Sequence, residues 1–515
     1  MPKSPRKRQG WLPRSHDWDE HMAQGEDGQI DAGDEALLDA AGAAPQPRRV
    51  GPGAFDLTQG PITKTLLLFT LPTLAANVLQ SLNGSINAIW VGHFLGDAAL
   101  AATANANIIM FLLFSMIFGF GMAANVIVGQ SMGRGDIMAA RKAFGSSVGF
   151  CLILSLVLAV AGWFLAPRIL DLLATPGDAY DLALAYLRVI FVSMPGGLLT
   201  IMLMMGLRGG GDAMTPLKFM ILTVILDAGL NPFLILGIGP FPEMGIAGSA
   251  TATAVANYLS LAAMIAFVYA RDLPLRLRGA EWKFLKPDGH ELRIIITRGL
   301  PMGAQMIVMS LAMMIIQGLV NLEGVQTAAA YAAAQQLWNY VQMPAMAVGG
   351  AISSMAAQNI GAGRWDRVEH ATRSGLLINF AMTGLLVLIL LAFDRPVLAL
   401  FLNGEGDAMD IARHMQFLAS WSFIFFGMSM VFFGTIRANG IVIFPLVILV
   451  VSLFGVRLGF YFGFYDMLGS DALWWSFSVS SLFSLVAAWV YYRFSKWREA
   501  VLLVPAKRAD ATPAR

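Results

Sequence analysis

From Ile62 to Phe494 the chain alternates long apolar stretches with short polar turns. An α-helix needs about 20 mostly apolar residues to cross the hydrocarbon of a bilayer. The pattern predicts twelve such spans, at 62–92, 98–128, 143–166, 180–206, 214–237, 245–270, 291–320, 327–355, 369–392, 409–435, 440–464 and 472–494. In lipid the backbone must satisfy its own hydrogen bonds, so only helices or a closed barrel can span. The apolar runs here are far longer than the roughly 10-residue alternating segments of a barrel. The expected fold class is an all-α polytopic membrane protein.

The polar turns sort by charge. Loops after even-numbered spans hold most of the basic residues, among them Arg134, Arg141, Lys142, Arg271, Arg276, Arg278, Arg364 and Arg367. Loops after odd-numbered spans hold only Arg168, Arg188, Arg395 and Arg413, with most of the loop acids. Positive charge marks the cytoplasmic side. Both termini are therefore expected in the cytoplasm, with the chain lying multi-pass in a plasma membrane, the inner membrane of a bacterium.

Composition supports this reading. Of 515 residues, 57% are hydrophobic and 13% charged, against roughly 25% charged in a soluble domain. The net charge of +2 is spread along the chain, which argues against a nucleic-acid partner. Cys151 is the single cysteine, so no intramolecular disulfide or cysteine-built metal site is expected. Residues 1–54 are polar and of mixed charge, and read as a disordered cytosolic tail.

Three segments recur in one order at nearly one offset. Leu71-Pro72 returns as Leu300-Pro301, and Gly129-Gln130 through Gly135 returns as Ala357-Gln358 through Gly363. Arg208-Gly209-Gly210-Gly211 with Pro216-Leu217 returns as Arg437-Ala438-Asn439-Gly440 with Pro445-Leu446. A repeat of six spans keeps its orientation, so the halves are parallel repeats and a site is expected at their interface. The expected organisation is a six-helix bundle over 55–270, a cytosolic linker over 271–290, a second bundle over 291–495 and a cytosolic tail over 496–515.

The same segments carry a family resemblance. Gly129-Gln130 through Gly135, Arg208 through Pro216, Asn231-Pro232-Phe233 and Met244 through Thr253 are similar to those of MATE (multidrug and toxic compound extrusion) transporters, as are Leu71-Pro72, Gln80 and Trp90 through His93. The resemblance covers residues 55 to about 495 and implies a secondary antiporter with two lobes around an alternating cleft. It implies export of bulky amphipathic or cationic organic compounds, driven by protons or, as the alternative, by sodium. Lipid-linked precursor flippases of the same superfamily are the second expectation. Small organic substrates and membrane lipids are the implied partners, with a monomer expected and no cofactor.

Ionisable residues inside a membrane are functional candidates by default. Asp227 is the carboxylate lying well inside a span, stacked at helical spacing with Thr223 and Asn231. The first span adds a stripe of Asn77, Gln80, Ser81, Gly84 and Asn87, and the sixth adds Ser249, Thr253 and Asn257. Asp227, Asn231, Asn87 and Thr253 are the expected ion-coupling group. Related transporters commonly place an aspartate where Asn87 stands, and an asparagine four residues before an aspartate in the fifth span, the reverse of Asp227 and Asn231. The proton-carrying role is therefore expected to fall on Asp227. Asn77, Gln80, Asn257, Gln305, Met309 and Gln317 are the expected cavity residues; Met302, Met306, Met309 and Met313 share one face of the seventh span, and methionine adapts to many ligand shapes. Met309 stands about where some sodium-coupled relatives have a glutamate, which favours protons. Arg457, in the eleventh span, has no evident partner.

Other motifs fail on context. Gly145 through Gly149 fits a serine-hydrolase elbow, yet no strand precedes it. Gly119 through Ala124 mimics a dinucleotide loop inside an apolar span, where small residues serve close helix contact. No phosphate-binding loop is present and the histidines lack metal-ligand spacing. An enzyme is not expected.

Overall fold

A computed structural model describes residues 55–172, 177–402 and 406–500; the tail expected at 1–54 lies outside them. Eleven helices among the described residues are long and apolar enough to cross a membrane. These are α1 (Ile62–Gly96), α2 (Ile109–Arg134), α3 (Ile137–Asp171), α4 (Tyr180–Gly209), α5 (Met214–Leu236) and α6 (Ile246–Ala270) in the first half, and α7 (Gly289–Leu322), α9 (Trp365–Ala392), α10 (Asp407–Ala438), α11 (Ile443–Leu468) and α12 (Asp471–Phe494) in the second. The eighth, α8 (Val325–Gly361), is 37 residues long but more polar. Its composition follows from its place. It packs on α2, α9 and α10 and buries most of its residues against protein, so it need not match lipid. By contrast only 22% of the apolar window of α3 is buried; α3 is a lipid-facing helix.

Glycine marks the break between α1 and α2. Helical hydrogen bonding runs on through Gly96, whose φ of 79° and ψ of −173° suit only a residue without a Cβ. α5 runs through Pro232 to Leu236.

The halves meet through α2, which packs along both α7 and α8. The signature glutamines make this junction, and they do so reciprocally. Gln130 Nε2 donates to Ala438 O at 2.7 Å, and Gln358 Nε2 donates to Gly209 O at 2.8 Å. Each helix end is thus held by the glutamine of the other half. The glycines beside them are sterically required, because a Cβ on Gly133 would lie 2.0 Å from Gln358 O and one on Gly361 2.0 Å from Gln130 O. Asn125 and Ser354 add a buried pair at 3.0 Å.

Residues 55–60 lace the same end of the molecule together. Phe55 N donates to Gly211 O, Asn359 Nδ2 to Leu57 O and Arg364 Nη1 to Thr58 O. The linker docks on α3: Arg141 holds Glu281 at 2.9 Å and Pro274 O at 2.8 Å, and Lys142 pairs with Asp288. The two failed motifs find their reason here. A Cβ on Gly149 would lie 1.7 Å from Leu285 O, and one on Gly119 would lie 2.3 Å from Gly303 N.

Two residues past the expected end of the second bundle, the chain still packs on it. Trp497 is buried against Trp365 and Tyr492, and Asn439 Nδ2 donates to its carbonyl at 2.7 Å.

Candidate functional site

In the first half, α1, α5 and α6 converge on one carboxylate. Asp227 is fully buried. Its Oδ2 accepts from Asn83 Nδ2 at 2.7 Å and from Asn87 Nδ2 at 2.9 Å. Its Oδ1 accepts from Thr253 Oγ1 and from Asn231 Nδ2, both at 3.1 Å. Asn231 also donates to Asn87 Oδ1 at 2.8 Å, and Asn87 reaches Thr253 Oγ1 at 3.3 Å. All four donors are neutral, and no lysine or arginine pairs with Asp227 among the described residues. The four expected coupling residues thus form one network. Asn83 completes it and was not among them, although it stands one turn from Asn87 on the same helix face.

Burying a charge costs free energy unless it is hydrogen-bonded; here the donors come from three helices. The network also carries unspent acceptors. Asn83 Oδ1 and Asn231 Oδ1 are buried without a partner.

Other expected cavity residues of this half stand apart. Asn77 is half-buried and Gln80 exposed, and neither hydrogen-bonds through its side chain among the described residues. Asn257 lies near Gly197 and Phe114 rather than at Asp227. Thr223 Oγ1 turns back to Phe219 O.

The second half holds two cavities that share Met309 and Leu449. One, of about 530 Å³, lies at the junction of the halves, where Phe118 and Met122 of α2 face Met302, Gln305 and Met306 of α7. Gln305 is buried there, accepting from Arg437 Nη1 and donating to Val442 O, both at 3.4 Å. The other, of about 700 Å³, lies within the second lobe between α7, α8, α10, α11 and α12, with Met309, Met313, Trp338 and Arg457 in its wall. Met302, Met306, Met309 and Met313 of α7 all line these cavities. Gln317 does not; it donates to Asn321 Oδ1 at 3.0 Å.

This architecture has relatives. The family model MatE matches twice, over residues 72–233 and 301–462, and the starts of the two matches differ by 301 − 72 = 229 residues, the offset of the internal repeat. The chain belongs to the MatE family of transporters. It is 32% identical over 435 residues to the "Probable multidrug resistance protein YoeA" of Bacillus subtilis, covering 84% of this chain and 94% of that one. It is likewise 32% identical over 453 residues to "Probable multidrug resistance protein YpnP" of the same organism, covering 86% and 98%. A solved multidrug resistance MATE family transporter in an outward-facing conformation superposes with a TM-score of 0.79 at 19% identity, over 87% of this chain and 98% of that one. At that identity the likeness speaks for the fold: two bundles of six helices in a multi-pass membrane protein.

Proposed function

We propose that this transporter is a secondary antiporter that exports bulky amphipathic organic compounds in exchange for protons, with Asp227 as the proton carrier. The observation that carries this is the fully buried Asp227 carboxylate, held by four neutral donors and by no cation among the described residues. A carboxyl so placed can be charged or neutral without breaking an ion pair. Asn87 cannot take that role, because an amide carries no exchangeable charge. The multidrug-resistance names of the two Bacillus relatives support organic compounds as cargo.

The proposal includes alternating access, and the junction supports it. The halves, 55–270 and 291–495 joined by the linker 271–290, meet on the side of Gln130 and Gln358, which is read as cytoplasmic because the basic loops lie there. Opening to that side requires both reciprocal glutamine bonds to part. A ligand moves such an equilibrium only through different affinities for its two states; for a proton this means that opening must change the surroundings of Asp227.

A second reading has one observation in its favour. Asn83 Oδ1 and Asn231 Oδ1, unpartnered beside the carboxylate, are hard oxygen ligands that suit a sodium ion. One experiment decides between the two. Protein reconstituted in liposomes is loaded with ethidium, and efflux is followed under an imposed proton gradient or an imposed sodium gradient. Proton-driven efflux that vanishes in Asp227→Asn is the expected result. Sodium-driven efflux that vanishes in the same variant supports the second reading, and efflux indifferent to both gradients contradicts antiport.

A further inference from the structure

The second lobe contains a buried positive charge with nothing to balance it. Arg457 is only 7% exposed and stands in the middle of α11, directly after the widened π-type turn Val451–Val456. Such turns inside α-helices recur at functional sites. Its Nε donates to Ser480 Oγ at 3.0 Å. Its guanidinium carbon lies 4.3 Å from the centroid of the Phe477 ring, which fixes the plane of the group. The two terminal nitrogens make no hydrogen bond or ion pair among the described residues.

The acids of this half cannot serve it. None pairs with Arg457 among the described residues, and three are engaged elsewhere: Glu323 accepts from Tyr465, Asp394 from Arg413, and Asp471 pairs with His414. Arginine cannot escape by losing its proton. A buried charge left unpaired is costly, and this side chain stays buried within the lobe.

Arg457 lines the cavity within the second lobe. Trp338 and Ser484 line it too, and Trp338 Nε1 and Ser484 Oγ are buried without a partner. Indole N–H and guanidinium are donors only, whereas the Gln335 and Gln342 amides in the same wall can donate or accept. The remaining wall is largely apolar, including Met309, Met313, Phe423 and Phe477.

We propose that this cavity binds the anionic end, a carboxylate or a phosphate ester, of an amphipathic molecule whose apolar body lies on the methionine and phenylalanine side chains. Arg457 supplies the charge and a planar fork that matches either group. Trp338 supplies a second donor. That the ligand is cargo rests on the export reading; the binding site itself does not.

The test uses the full chain in phosphatidylcholine nanodiscs, with 2-naphthoate, 2-naphthyl phosphate and 2-naphthylmethylammonium as probes in equilibrium dialysis. Both anions are expected to bind at least about tenfold more tightly than the ammonium, a difference of about 1.4 kcal/mol. Arg457→Gln should erase the preference, and Arg457→Lys should retain part of it. Should Arg457→Gln not fold, Trp338→Phe decides, because it keeps the charge and most of the packing while weakening both anions several-fold. Asp227→Asn should leave the preference untouched, which separates this site from the coupling reading. With phosphatidylglycerol in the discs, displacement of naphthoate identifies a lipid headgroup as the occupant, and undiminished binding identifies a free amphiphile. No saturable binding of either anion, or a preference that survives Arg457→Gln in folded protein, overturns the proposal.

Discussion

The two lobes share a topology but not an interior. The first gathers a carboxylate and spare amide oxygens between α1, α5 and α6, while the second gathers a guanidinium and spare N–H and O–H donors between α8, α11 and α12. Where the halves touch, they remain near copies: Gln130 and Gln358 make matching bonds, and Gly133 and Gly361 meet matching carbonyls. The contrast teaches where a duplicated chain is free to change. Backbone-to-backbone approach at the junction tolerates neither a Cβ nor a lost amide, whereas each lobe's interior can take its own charge. The reading assigns ion coupling to the first lobe and ligand contact to the second.

The largest effect that would sharpen this contrast is an exchange inside the first lobe. Asp227→Asn should reduce proton-driven efflux to the level of empty liposomes without loss of folded protein. Adding Asn231→Asp should restore part of it. The carboxylate then moves one turn, about 5.4 Å along the helix, yet stays beside Asn87, to which Asn231 already bonds at 2.8 Å. A restored carboxylate in the second lobe, Gln342→Asp, should restore nothing; recovery there would break the division of labour between lobes.

At the junction the lobes should behave alike. Gly133→Ala and Gly361→Ala each force a methyl against a carbonyl, and spin labels at Met138 and Asp366 should move apart by the same amount in either variant. Gln130→Ala and Gln358→Ala should act more gently. Each leaves a buried carbonyl unsatisfied at about 1–3 kcal/mol, and the open population should rise correspondingly. A large response on one side only would show that the repeat symmetry of the junction is not functional.

The smallest effect concerns the linker. The Lys142 ammonium and the His290 amide hold the Asp288 carboxyl below the usual carboxylate range. A group depressed in the folded state contributes stability above its unfolded value, near 3.9, and loses it as pH falls further. Hydrogen-exchange protection over residues 279–285, taken relative to the intrinsic rate at each pH, should therefore be constant near neutral pH and fall only under acid conditions.

Much of this was legible in the sequence because lipid imposes a simple rule. Apolar length predicts twelve spans, of which eleven are apolar enough by composition among the described residues, and the repeat offset relates the halves before any contact is known. α8 obeys the rule least, since it faces protein on most sides. Asp227 stood out as a carboxylate in an apolar run, and Asn231, Asn87 and Thr253 joined it through helical spacing. Asn83 did not, because the first span is rich in polar residues and only packing tells which of them turns inward. For the same reason Asn77 and Gln80 lie apart from the network. The reciprocal bonds of Gln130 and Gln358 were beyond reach, as they depend on which helix end each glutamine meets. Arg457 was visible but uninterpretable until the cavity beside it was known.

The central claim is that Asp227 takes and gives up a proton inside the membrane. Infrared difference spectra of reconstituted protein, recorded between acid and alkaline pH with and without sodium, test it most directly. The account predicts a protonated-carboxyl band that disappears on alkalinisation in the wild type and is missing from the same difference spectrum of Asp227→Asn. Wild-type and Asp227→Asn spectra that coincide in the carboxyl region would contradict it.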